Sequence, residues 1–126
     1  MTVITALAVA LNLLLVQAAP ELTLGRVAEL ERGLDLNAVL ASRIATYVPP
    51  HTRLAPVNQL SRTYSLTQVN GRVFIQGHYT SPRGSDRAGV HLGEPNVAAD
   101  GGCNTVWVIF MPDTGRPVGA WCNGVA

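Results

Sequence analysis

The dipeptide Asn70-Gly71 constrains this chain more than any other feature. It sits between two runs in which apolar and polar residues alternate, residues 62–69 and 72–80. Asn-Gly supplies the two left-handed residues of a tight two-residue hairpin turn, the strongest short-range signal for paired strands. The turn sets Val69 opposite Arg72, and therefore Leu66 opposite Ile75, Gln68 opposite Val73 and Tyr64 opposite Gly77. Those residues and Tyr79 share a mainly apolar face. Thr63, Ser65, Thr67, Arg72, Gln76 and His78 fall on the other, which is expected to face solvent. A one-residue slip would turn the apolar set outward, so the register is well specified.

A second hairpin is expected over residues 103–124. Residues 106–111 are apolar at both parities, the pattern of a strand covered on both faces. Cys103 and Cys122 are the only cysteines, and the pair is expected to form a disulfide in an oxidising compartment. If they stand directly opposite, residues 111–114 form a four-residue loop, Trp107 faces Val118 and Trp121 faces Asn104. A two-residue loop at Asp113-Thr114 would leave them diagonal and too far apart for a relaxed bridge. Asp113-Thr114-Gly115 matches the signature triplet of aspartic proteases, but only 11 residues follow it. Pro-Asp-Thr-Gly is also sound turn chemistry, which is the reading adopted.

Upstream, residues 21–48 read as helical. Leu36, Val39, Leu40, Ile44, Tyr47 and Val48 make one apolar stripe. Asp35 is placed to cap this helix. Gly33 divides it from an earlier helix over residues 24–32, and Pro49-Pro50 ends it. Residues 49–61 look like an extended connection, and residues 88–92 look like a short extra strand. The expected fold is α+β, with an N-terminal helix or two packed on an antiparallel sheet of four to five strands built from two hairpins.

The extreme N-terminus has a different character. Residues 3–16 are an apolar run broken only by Thr5 and Asn12. Fourteen residues suit the core of a signal peptide and fall short of a membrane span. Val16-Gln17-Ala18 offers a cleavage site. Residues 1–18 are therefore expected to be a signal peptide, or else a retained hydrophobic helix that anchors the protein. Residues 19–126 form one domain, exported to the periplasm or beyond, with no membrane contact once the leader is removed. The nine basic residues are all Arg, against eight acidic ones, and the net charge of +1 removes the electrostatic case for nucleic acid.

Chemical motifs are sparse. His51, His78 and His91 lack the spacing of metal ligands, so no metal or other cofactor is implied. No Gly-x-Ser-x-Gly elbow, phosphate-binding glycine loop or internal repeat occurs. The 22 residues between the hairpins, 81–102, form the kind of long loop that carries function in small domains. Arg83, Asp86, Arg87, His91 and Glu94 are its candidate binding residues. Trp121 is a candidate anchor for a partner. The hairpin over residues 103–121 resembles the sheet hairpins of periplasmic lysozyme inhibitors. That family's His-containing cysteine loop is absent, so no site residue is carried over.

Three functions remain. The first is a small exported, non-catalytic binding module that engages a protein, such as an inhibitor of a secreted hydrolase. The second is an envelope-anchored structural or interaction protein that keeps its N-terminal helix. The third is a small hydrolase using His78 or His91 with Asp86, Glu94 or Asp100. The lack of a catalytic constellation weighs against an enzyme.

Overall fold

The computed structural model describes residues 21–82, 87–95 and 102–123. The expected leader lies outside them, as do Arg83 and Asp86. Helix α1 spans Leu24–Glu31 and begins at Thr23, whose hydroxyl accepts the Arg26 amide at 3.0 Å. Helix α2 spans Leu36–Leu40, and Asp35 caps it by accepting the Ala38 amide at 3.1 Å. Strand β1 is Ala45–Thr46, β2 Ser61–Val69, β3 Arg72–Thr80, β4 Gly89–Leu92, β5 Thr105–Phe110 and β6 Pro117–Cys122. The strands form one sheet in the order β1-β6-β5-β3-β2-β4.

The fold is thus α+β, but the sheet is mixed and six-stranded rather than antiparallel with four or five. Each hairpin recruits one short parallel neighbour. Strand β1 pairs with β6, and β4 pairs with β2. Strand β1 comes from the stretch expected to be helical. Helix α2 stops at Leu40, and the Ser42 hydroxyl donates to the Val39 carbonyl at 2.6 Å. Beyond it the β-branched Ile44, Thr46 and Val48 favour extended backbone. Tyr47, counted in the apolar stripe, is 83% exposed with φ +58°.

The Asn70-Gly71 hairpin has the expected register from Val69–Arg72 to Ser61–Thr80. Both turn residues are left-handed, with φ of +52° and +79°, as the turn demands. The second hairpin departs from expectation. Val106 faces Cys122 and Trp107 faces Trp121, until an irregularity at Ile109/Phe110 shifts the pairing to Phe110–Pro117. The disulfide between Cys103 and Cys122 is present, yet the two cysteines are not strand partners. Cys103 lies in a 3-10 turn, Gly102–Asn104, that precedes β5 and curls back to the end of β6 with a Cα–Cα distance of 4.7 Å. Cross-strand geometry therefore never applied to it, and the link assumed between disulfide and register does not exist. The Asp-Thr-Gly stretch is a turn. Gly115 donates to the Met111 carbonyl at 2.8 Å with φ +73°. A Cβ on Gly115 would lie 2.9 Å from Leu30 Cδ2, and Arg26 clamps the turn by donating to the Pro112 carbonyl at 2.9 Å.

Both helices pack on one face of the sheet. Val27, Leu30, Leu36 and Leu40 meet Tyr64, Ile75, Tyr79, Val106, Val108, Phe110 and Ala120 in a single core. Inside it runs a hydrogen-bonded chain. Tyr79 donates to the Tyr64 hydroxyl at 3.0 Å, Tyr64 donates to Glu31 at 2.7 Å, and Arg62 grips the same carboxylate through Nε and Nη2, both at 3.0 Å. Burial, reinforced by the Tyr79 hydroxyl and the Glu31 carboxylate, pushes the Tyr64 phenol far above its usual range.

The Tyr79 ring leans over Gly77. A Cβ there would lie 2.7 Å from Tyr79 Cζ and 2.8 Å from Cε2, and would collide with the hydroxyl. Because that hydroxyl is held by Tyr64, the ring cannot swing away cheaply. Gly77→Ala is expected to destabilise by about 1–3 kcal/mol in urea unfolding. Gly119→Ala, whose nearest neighbour would be Ile109 Cβ at 3.9 Å, serves as the near-neutral control.

Candidate functional site

With both helices on one face, the other face of the sheet is lined by strand side chains, and one row on it crosses all six strands. Pairing sets Thr46 beside Trp121, Trp121 beside Trp107, Trp107 beside His78, His78 beside Thr63 and Thr63 beside His91. The Trp107 and Trp121 rings are nearly parallel, 10° apart in plane with centroids 6.1 Å apart. His78 packs against Trp107 at 4.3 Å between ring centroids. Trp107 and His78 form the floor, 8% and 5% exposed. Trp121 and Thr63 are half-buried, and Thr46 and His91 are exposed.

His78 differs from expectation. Its alternation put it on a solvent face, and it does lie on that face, but it is buried beside Trp107. Its Nε2 has no hydrogen-bond partner, an uncommon state for a buried polar atom. Burial lowers the pKa of the imidazole from its ordinary value. The native state therefore favours the neutral ring, while the unfolded chain takes up a proton as pH falls through about 6.5. Protonation of the unfolded chain then draws the equilibrium away from the native state. His78 accordingly contributes full stability above that pH and progressively less below it. Thermal melts at neutral and mildly acid pH should show this loss, and His78→Phe should flatten it.

Of the candidate residues from the long loop, Arg87, His91 and Glu94 are among the described residues, and all three lie on or beside β4. Arg87 precedes β4 and Glu94 follows it, both exposed. His91, on β4, is the one that joins the row. The row contains no carboxylate, so neither His78 nor His91 finds within it the partner that a hydrolytic His–carboxylate pair requires. Among the described residues no group of three His, Cys, Asp or Glu side chains is placed to hold a metal. None of their helices is long and apolar enough to cross a membrane.

On the opposite side, a groove of about 360 Å³ runs between the α1–α2 junction and the β5–β6 turn, with Arg26, Arg32, Asp35, Leu30, Phe110 and Gly115 among its walls. Arg26 is committed there to Glu29 and to the turn carbonyl. Opposite charges from Arg32 and Asp35 give the rim no single sign.

Sequence reasoning identified Trp121 but missed Trp107 and His78 as its companions. The signal was present in the alternation of β5, where Val106, Val108 and Phe110 form a consistent core set and leave Trp107 on the other side. The assumed cysteine pairing displaced it. No protein-family model, curated protein or solved structure matches the chain.

Proposed function

We propose that this chain is a small exported binding module without catalytic function, and that it engages its partner through the face of the sheet opposite α1 and α2. The observation that carries this reading is the row itself. Two parallel indoles, a buried unpaired imidazole nitrogen and flanking hydroxyls stand in one line across the strands. Trp is prominent among residues that dominate binding energy, above all when a half-buried ring is backed by a rigid floor. Strand side chains on a disulfide-tied sheet give such a surface the preorganisation that loops lack. The disulfide fits an oxidising compartment, and the apolar run at residues 3–16 fits an export signal. An inhibitor of a secreted hydrolase is the form of this function that the sequence favours.

The test uses the intact chain as bait against envelope and culture-medium extracts of the native host, beside Trp121→Ala and Leu24→Ala. Leu24 is an exposed apolar residue on α1, remote from the row. A ligand retained by the wild type and by Leu24→Ala, and weakened about tenfold or more by Trp121→Ala, supports the proposal. Equal retention by Trp121→Ala would overturn it.

A further inference from the structure

Resting on that reading, we infer that the row is a subsite for an uncharged sugar chain. Three observations converge on this chemistry. The first is the aromatic floor. Sugars present flat C–H faces that pack on indoles, and the half-buried Trp121 is the indole a sugar would meet, braced by the nearly parallel ring of Trp107, which is itself buried between Trp121 and His78.

The second is the rim. On the same face stand Thr46, Thr63, Gln76 and Thr80, exposed or half-buried, with Ser65 and Thr105 buried among them, all placed there by the pairing of their strands. Hydroxyl and amide groups both donate and accept hydrogen bonds, which matches the dual character of sugar hydroxyls. His78 lies beneath them, its Nε2 buried and without a hydrogen-bond partner.

The third is charge. Among the described strand positions of this face the charged side chain is Arg72, and it lies at the hairpin end, stacked over Phe74 at 5.7 Å. It stands six positions along β3 from His78, roughly 20 Å of extended chain. No acidic residue occupies a described strand position on this face. Among the described strand positions, a phosphate, an acidic glycan or a nucleic acid would find no Arg beside the indoles, and a cationic peptide would find no carboxylate. A neutral ligand with an apolar face and many hydroxyls meets each requirement.

The experiment titrates the intact chain with three neutral tetrasaccharides: β-1,4-linked glucose, β-1,4-linked N-acetylglucosamine and α-1,4-linked glucose. Tryptophan fluorescence and calorimetry read the binding. The expected result is saturable binding of at least one, with a change in indole emission, little sensitivity to salt, about tenfold weakening in Trp121→Ala and retention in Trp121→Phe. If none of the three binds at millimolar concentration, or if Trp121→Ala binds as well as the wild type, the inference falls. The two readings separate cleanly. A chain that binds none of the sugars, yet loses a captured host protein on Trp121→Ala, refutes the sugar subsite and leaves the binding module standing. A chain whose Trp121→Ala variant keeps every ligand loses both.

Discussion

Arg62→Ala should destabilise the protein by about 3–5 kcal/mol, the cost of breaking a buried ion pair by removing one partner. Arg62 and Glu31 side chains are only 10% and 14% exposed, and the pair is bidentate. Without the guanidinium, the Glu31 carboxylate keeps one donor, the Tyr64 hydroxyl at 2.7 Å. The loss should spread along the chain, because Tyr64 also receives the Tyr79 hydroxyl. The guanidinium additionally caps the Leu60 carbonyl at 3.1 Å. Arg62→Lys should recover only part of the stability, since a lysine ammonium cannot reproduce the two parallel hydrogen bonds. Replacing both partners with apolar residues, as in Arg62→Met with Glu31→Leu, should cost less than Arg62→Ala, because no charge is then left buried and unpaired. Urea unfolding of the four proteins checks the order. A double variant less stable than Arg62→Ala would show that the pair does more than satisfy its own burial.

The second large effect concerns the disulfide. Cys103 and Cys122 are 19 positions apart, and a loop of that length limits the unfolded chain by about 3 kcal/mol. Cys103→Ala with Cys122→Ala should therefore lower stability by roughly that amount, read as a shift of the urea midpoint. The effect should be local as well as global. The bridge holds the 3-10 turn before β5 against the end of β6, where Asn123 donates to the carbonyls of Gly102 and Thr105 at 3.1 and 2.9 Å. Hydrogen exchange at Asn123 should rise more than exchange at Ile75 in the middle of β3. Trp107 and Trp121 lie within the same hairpin, so the variant should also alter indole emission.

What could be read in the chain and what could not have physical causes. The Asn70-Gly71 hairpin was legible to the residue, because turn chemistry and two long alternating runs agree. The Asp35 cap and the break at Gly33 were legible for the same reason, being local. Strand β1 was obscured because it is short and takes its pairing from a distant partner, whereas β4 was legible as a short strand at residues 88–92 and only its parallel pairing with β2 was not. Ala45–Thr46 pairs with β6, more than 70 residues later. The second hairpin was misjudged through its disulfide. Treating the cysteines as strand partners moved Trp107 away from Trp121, although the bridge is made by a turn outside the strand. His78 was read as solvated because alternation reports a face, not the depth of a side chain set beside a neighbouring indole. The long loop drew attention to Arg83, Asp86, Arg87, His91 and Glu94. Of these His91 stands in the row, and Arg83 and Asp86 fall outside the described residues.

Binding on the face of the sheet opposite α1 and α2 can be tested directly. The most direct measurement is NMR mapping of the labelled chain as it is saturated with the ligand retained by the wild-type bait. Shifts are expected to concentrate at the indole N–H groups of Trp107 and Trp121 and at the amides of Thr63 and His78. Shifts confined to Arg32, Asp35 and Gly115 around the groove on the helical side, with the two indoles unmoved, would contradict it.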